Sequence, residues 1–123
     1  MCKQRPCRCS AKMFPVGDHE FWNADGTARV GAFRIATVND AGNRYQQLYV
    51  VLPCEGGELH GLPIAPAVIS HWNKEQWKLS GTEQAPTLTP SVRTGDRDMA
   101  LPGRPIIVEH WHGWVTAGQL KSC

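Results

Sequence analysis

The sequence predicts a mainly β protein, a β-rich α+β fold in one small domain of antiparallel hairpins with at most one short helix. Nine prolines and twelve glycines are spread along the chain and leave little room for long helices. Several runs are rich in β-branched and aromatic residues, and groups of turn formers separate them. A chain of 123 residues has the size of one ordinary domain, so we expect a single domain over residues 1–123.

The first predicted hairpin covers residues 31–52. Its two runs, GAFRIATV and RYQQLYVVL, are apolar and β-branched, and the turn formers NDAGN lie between them. A short third strand is predicted in ELHGLPI, residues 58–64. Because proline cannot donate to a strand ladder, Pro63 indicates that this strand ends there or lies at an edge.

Two less regular segments follow. Residues 67–79, AVISHWNKEQWKL, have apolar residues at helical spacing and form the one candidate helix. Residues 82–92, TEQAPTLTPSV, are predicted to be extended, because Pro86 and Pro90 fix φ and remove amide donors. We expect this segment to be ordered and to pack beside Trp77.

The last predicted hairpin, residues 106–123, carries the candidate site. RPIIVEHWHGWV has a strand pattern, and alternate side chains of a strand share a face, so His110 and His112 are expected on one side. A two-residue turn at positions 117–118 would use the glycine for positive φ. Counting back from that turn along both strands places His112 opposite Cys123.

The side chains of His110, His112 and Cys123, expected on one face of this hairpin, predict a metal site. Directly opposite residues hold their Cβ atoms about 4.5–5.5 Å apart, a span that one tetrahedral zinc can bridge. A structural zinc takes four ligands, and LPCEGG offers a further cysteine. The predicted zinc ligands are Cys54, His110, His112 and Cys123. Weaker alternatives are Glu55, His60 and Glu109. The open alternative is that both histidines are ordinary polar residues of a partly exposed strand and that the cysteines are small hydrophobes.

A second group of cysteines occurs near the N-terminus, where CKQRPCRC contains Cys2, Cys7 and Cys9. The spacing differs from the C-x2-C knuckle of strong zinc motifs. Residues 1–12 are therefore expected to be a flexible basic tail, or a tail recruited through Cys7 or Cys9 to complete the zinc site. Five cysteines is an odd number, which favours free thiols or metal thiolates in a reducing compartment.

Composition and motifs restrict the function further. A formal net charge of +2 with interspersed signs does not call for a nucleic acid, although it does not exclude one. No apolar run reaches the roughly 20 residues of a membrane span, and no apolar stretch follows the basic N-terminus, so we expect a cytoplasmic protein. The Walker, G-x-S-x-G, H-E-x-x-H and dinucleotide motifs do not occur. Without a nucleophile–base pair of known pattern, no enzymatic turnover is expected.

Two segments carry a family resemblance. WKLSGTEQAPTLTPSV, residues 77–92, and HWHGWVTAGQLKSC, residues 110–123, resemble a family of small proteins of tailed bacteriophages and prophages. Some members carry the label ammonia monooxygenase, which these residues do not support. Similar members look as though they have a CPCGCG-type cluster where this chain has LPCEGG, which implies metal binding. Of those three cysteines this chain retains Cys54.

The resemblance implies a phage or prophage accessory protein in the cytoplasm of an infected or lysogenic bacterium. Such a protein would bind a host or phage protein stoichiometrically, for example to inhibit a defence system such as CRISPR. A small zinc-dependent hydrolase is the alternative from another class. A minor virion or assembly component is the third.

Overall fold

A computed structural model describes residues 8–53, 57–67, 76–102 and 104–123. Within these ranges the chain forms ten β-strands and no helix, which confirms the prediction of a mainly β fold. The strands are β1 (Ala11–Lys12), β2 (Phe14–Pro15), β3 (Ala32–Asp40), β4 (Asn43–Leu52), β5 (Glu58–Pro63), β6 (Lys78–Gly81), β7 (Pro86–Thr89), β8 (Val92–Arg97), β9 (Ile106–Thr116) and β10 (Gln119–Ser122).

The strands form two four-stranded sheets and a two-stranded ribbon. The order is β1-β10-β9-β8 in the first sheet and β2-β3-β4-β5 in the second, and β6 pairs with β7 in the ribbon. The pairs are antiparallel, except that β2 runs parallel to β3. The sheet that contains β8 and β9 is called the site sheet below.

Both predicted hairpins are confirmed, and they use the same turn. Residues 41–42 join β3 to β4 and residues 117–118 join β9 to β10, and each turn is an Ala-Gly pair. All four residues have positive φ, 49° and 84° in the first turn and 47° and 74° in the second. Positive φ at both central positions is the signature of the two-residue hairpin turn. The register at the second turn pairs Gln119 with Thr116, as predicted.

The segments between the hairpins are extended where the structure describes them. Trp77 forms a parallel bridge with Ile64, and β6 starts at the next residue. The end of the predicted helix is therefore extended, and its residues 68–75 lie outside the described residues. The predicted order of PTLTPS is confirmed, because β7 pairs along its length with β6 and Leu88 is buried.

One apolar core joins the sheets and the ribbon. Its largest fully buried side chains include Phe33 and Leu48 from the second sheet, Leu88 from the ribbon, and Trp111 and Leu120 from the site sheet. Burying such side chains contributes about 1.5–3 kcal/mol each. The core therefore holds β8 and β9 at a defined position against the rest of the domain.

The start of the described chain joins this core. Ala11 pairs with Leu120 at the edge of the site sheet, and the Trp111 indole N–H donates a 3.0 Å hydrogen bond to the Cys9 carbonyl oxygen. Residues 1–7 of the predicted tail lie outside the described residues. In the ranges that are described, the structure has no helix of the length and apolarity that a membrane span requires.

Candidate functional site

A serine and a histidine lie in direct contact beside β8 and β9. The Ser91 Oγ atom is 3.1 Å from the His112 Nε2 atom, which is a hydrogen-bonding distance. When the imidazole proton is on Nδ1, Nε2 accepts this bond and the Ser91 hydroxyl donates it. A serine hydroxyl at this distance from an imidazole base is the arrangement that activates serine as a nucleophile.

The register of β8 on β9 explains why these two side chains meet. Val92 pairs with Gly113, and Arg93 pairs with His112. Ser91 lies one residue before β8, on the side of β8 where its side chain reaches the imidazole. The pair therefore depends on two strands that are adjacent in the sheet, although its residues are 21 positions apart.

The pair lies on the outer side of the site sheet. Trp111 and Val115 are fully buried in the core, and side chains alternate along a strand. His112 and Trp114 therefore occupy the opposite side, where Trp114 is 45% exposed. This position leaves the serine hydroxyl within reach of a substrate that approaches from solvent.

Main-chain hydrogen bonds hold both residues in place. The buried Trp77 donates its indole N–H to the Ser91 carbonyl oxygen over 3.3 Å. On the other side, the Cys123 amide N–H donates to the His112 carbonyl oxygen over 3.0 Å. Rigid support of this kind is what a catalytic pair requires, because small displacements of a reacting group are costly.

The described site is a pair and not a full triad. The ion pairs of the described residues include no carboxylate within 4.0 Å of His112. A triad adds an acid that orients the imidazole. In the described part of the chain, the position of His112 instead follows from its place in the middle of β9.

A second polar cluster lies between the two sheets. The Glu58 carboxylate contacts His60 Nε2 at 3.1 Å and His110 Nδ1 at 3.5 Å through its two oxygens. His110 Nε2 lies 3.0 Å from an Asp96 carboxylate oxygen. These four side chains, called the inter-sheet cluster below, join β5 of one sheet to β8 and β9 of the other.

A β-bulge places His110 in that cluster. Thr94 pairs with Trp111 whereas Gly95 pairs with Glu109, so β9 has one extra residue at His110. His110 is 7% exposed and the next residue, Trp111, is 0% exposed. Two consecutive buried side chains break the alternation of the strand. The prediction that His110 and His112 share a face is therefore wrong.

The burial of His60 has an electrostatic effect on its imidazole. Desolvation disfavours the charged imidazole and lowers the pKa of His60 below its usual value of 6.5, and the positive charge of a protonated His110 would act in the same direction. The Glu58 carboxylate opposes this shift without cancelling it. His60 is therefore neutral over a wider pH range in the folded protein than in the unfolded chain.

The predicted metal ligands have different surroundings in the structure. His112 and Cys123 are cross-strand neighbours, as predicted, and Cys123 is an exposed free thiol. Cys9 is a half-buried free thiol. Glu109 forms a 2.7 Å ion pair with Arg93. Outside the described residues lie Cys2, Cys7, Cys54 and Glu55.

No three His, Cys, Asp or Glu side chains of the described residues are grouped so that they could hold a metal ion. The description of the chain as zinc-binding is therefore wrong for these residues. The β-bulge explains why the two histidines of β9 do not form a common site, because it places His110 on the core side of the strand, away from His112. The full ligand set, which includes Cys54, stays a prediction.

Sequence reasoning missed Ser91 as a functional residue. In the sequence, Ser91 belongs to the segment 82–92, for which only an extended backbone was predicted. A partial signal was the H-x-H pattern of residues 110–112, because a histidine on a strand can act as the base for a serine of a neighbouring strand. The sequence carries no local feature that pairs β8 with β9 in this register.

Comparison with known protein families gives a match. A family model described as "Bacterial ubiquitination-like system serine protease (BubE)" matches residues 23–123. Both Ser91 and His112 lie within the matched residues. No curated protein and no solved structure matches the chain.

This match corrects the functional prediction. A phage or prophage accessory protein that inhibits a host defence system by stoichiometric binding is the wrong class, because the matching family is one of bacterial serine proteases. The alternative of a small hydrolase is closer, although the family description names serine and not zinc. The resemblance to a tailed-phage family is not addressed by the match and stays a prediction.

Proposed function

The chain belongs to the BubE family of bacterial ubiquitination-like system serine proteases, and from that premise we propose that it hydrolyses peptide bonds with Ser91 as nucleophile and His112 as general base. The observation that carries the proposal is the 3.1 Å contact between Ser91 Oγ and His112 Nε2. The family description supports the reaction class, and the contact supports the choice of these two residues.

In the first half-reaction, Ser91 Oγ attacks the carbonyl carbon of the scissile peptide while His112 Nε2 takes the hydroxyl proton. The tetrahedral intermediate then collapses and the C–N bond breaks. The protonated His112 returns its proton to the leaving amine. The products of this step are a free amine and an ester between the substrate acyl group and Ser91.

In the second half-reaction, His112 Nε2 takes a proton from a water molecule, and the resulting oxygen nucleophile attacks the ester carbon. The ester C–O bond breaks, and the proton goes from His112 to Ser91 Oγ. The carboxylic acid product leaves and the starting state of the pair is restored. This cycle allows many turnovers per protein molecule, in contrast to a stoichiometric binder.

The proposed substrate is a protein of a bacterial ubiquitination-like system, as the family description implies. The outer position of the pair on the site sheet supports a protein substrate, because a polypeptide can reach Ser91 without entering a closed cavity. The proposed compartment is the bacterial cytoplasm, in keeping with the free thiols of Cys9 and Cys123.

A fluorophosphonate probe, which forms a covalent bond with activated serine hydroxyls, tests the proposal. We expect the wild-type protein to be labelled at Ser91 and Ser91→Ala to be unlabelled. His112→Gln should reduce the labelling rate by about 10²–10⁴-fold, because it removes the general base. Mass spectrometry of the labelled peptide and the rate of labelling are the measurements.

Ser80→Ala is the matched control, because Ser80 is an exposed serine of β6. This variant should be labelled as fast as the wild type. Melting temperatures of all variants show whether each one is folded. Absence of labelling at Ser91 in the folded wild-type protein, or equal labelling of Ser91→Ala, would show that this pair is not the catalytic site.

A further inference from the structure

β8 is an edge strand that starts one residue after the proposed nucleophile. It is the last strand in the order β1-β10-β9-β8, so one of its sides pairs with β9. Among the described residues, no strand pairs with its other side. An edge of this kind presents main-chain N–H and C=O groups that another extended chain can pair with.

The hydrogen-bond pattern of the site sheet shows which groups of β8 face that edge. Within an antiparallel sheet, the N–H and C=O of one residue point to the same neighbouring strand, and the direction alternates along the chain. The His112 carbonyl oxygen accepts from the Cys123 amide, so the main chain of His112 points to β10. The main chains of Trp111 and Gly113 therefore point to β8.

This alternation determines the direction of the main-chain groups of Arg93. Its neighbours Val92 and Thr94 pair with Gly113 and Trp111, so their main-chain groups point to β9. The N–H and C=O of Arg93 consequently point away from the sheet. No described residue forms a hydrogen bond with either group.

The side chain of Arg93 leaves this edge open. Its Nε atom forms a 2.7 Å ion pair with Glu109 of β9, which draws the guanidinium across the outer face of the sheet. The arginine stem therefore extends towards β9 and not over the unpaired side of β8. A polypeptide can approach the Arg93 main chain from that side.

We propose that an extended segment of the protein substrate adds to the edge of β8 and pairs with the main-chain N–H and C=O of Arg93, which directs its scissile peptide to Ser91. This inference rests on the proposed function. Strand residues repeat about every 3.3 Å, so Arg93 and Ser91 are separated by roughly two substrate residues. Pairing at Arg93 therefore holds the substrate main chain at a point close to its own scissile bond.

Recognition of this kind uses main-chain hydrogen bonds, so it accepts extended segments of different sequence. β-casein, an unfolded protein with many extended segments, is therefore a suitable probe. We expect the wild-type protein to cleave β-casein. If the folded protein reacts with the fluorophosphonate probe at Ser91 but leaves β-casein intact, main-chain pairing at this edge does not suffice for binding and the proposal is overturned.

Arg93→Pro tests the role of the main-chain N–H. Proline is tolerated on an edge strand where the missing N–H faces outward, so this variant should fold. Arg93→Ala is the matched variant, because it loses the same ion pair with Glu109 and keeps the N–H. We expect kcat/KM for β-casein to be about tenfold lower in Arg93→Pro than in Arg93→Ala, as the loss of one hydrogen bond implies.

The fluorophosphonate probe separates this inference from the proposed function. The probe has no peptide chain, so the two Arg93 variants should react with it at similar rates. Labelling of both variants at Ser91 with equal cleavage of β-casein would overturn strand addition and leave the catalytic pair standing. If the wild-type protein is not labelled at Ser91, the proposed function fails first.

A second measurement applies if Arg93→Pro does not fold. In Ser91→Ala protein, hydrogen exchange of the Arg93 amide should slow when β-casein is added, because the amide gains an acceptor. Exchange of the Thr94 amide, which points to β9, is the internal reference. Unchanged exchange at Arg93 with saturating β-casein would exclude the proposed pairing.

Discussion

The hydroxyl of Ser91 lies 3.1 Å from an imidazole nitrogen, and no feature of the local sequence marks it as different from other serines. The reactivity proposed for Ser91 depends on that one neighbour, because a serine hydroxyl is a weak nucleophile without a base. His112 was identified from the sequence as a functional residue with a different chemistry. In the structure His112 is again a candidate functional residue, but its contact with Ser91 supports the role of a proton acceptor and not of a metal ligand.

His60 of the inter-sheet cluster gives a prediction for stability. Burial lowers its pKa below 6.5, so the unfolded chain binds a proton at a higher pH than the folded chain does. Where the unfolded state binds more protons, the free energy of unfolding rises with pH. The wild-type protein should therefore lose stability as the pH falls from about 7 through 6.5 and below.

His60→Asn removes this titration, so the free energy of unfolding of that variant should fall less steeply over the same pH range. Urea denaturation at a series of pH values is the measurement. His19→Asn is the matched control, because the His19 side chain is 90% exposed. A pH dependence in His60→Asn that equals that of the wild type would contradict the assignment to His60.

At the scale of elements, the two hairpins depend on Ala-Gly turns that are nearly identical in φ. Their surroundings differ. A Cβ atom added at Gly42 meets no atom within 4 Å, whereas one added at Gly118 lies 3.1 Å from the Ala85 Cα atom. The second turn therefore packs against the loop before β7, and the first turn is open.

This difference predicts the effect of alanine in each turn. Gly42→Ala should lower the free energy of unfolding by about 1–2 kcal/mol, the cost of a side chain in the left-handed region. Gly118→Ala should have the same cost and an additional one from crowding against Ala85. Denaturant titration of both variants is the measurement, and an equal or larger loss in Gly42→Ala would show that the contact with Ala85 is unimportant.

At the scale of the whole molecule, two buried tryptophans connect the core to main-chain carbonyl groups. The Trp77 indole donates to Ser91, and the Trp111 indole donates to Cys9 near the start of the described chain. Both side chains are almost fully buried. Only the first of these bonds reaches the proposed nucleophile.

We expect Trp77→Phe to lower the rate of fluorophosphonate labelling at Ser91 by roughly threefold to tenfold, because one hydrogen bond that positions the serine main chain is lost. Trp111→Phe is the matched control, since it loses an equivalent bond and a similar buried volume. Both variants should be destabilised by about 0.5–3 kcal/mol. A labelling rate that falls as much in Trp111→Phe as in Trp77→Phe would show that the effect is general loss of rigidity.

The sequence by itself determined the hairpins, because strand composition and Ala-Gly turns act over a few residues. The same local chemistry set the register that makes His112 and Cys123 neighbours. The tertiary structure decided the bulge at His110, the inter-sheet cluster, and the contact of Ser91 with His112. β8 and β9 are joined by residues 98–105, too many for turn chemistry to set a register, so core packing fixes how these strands align.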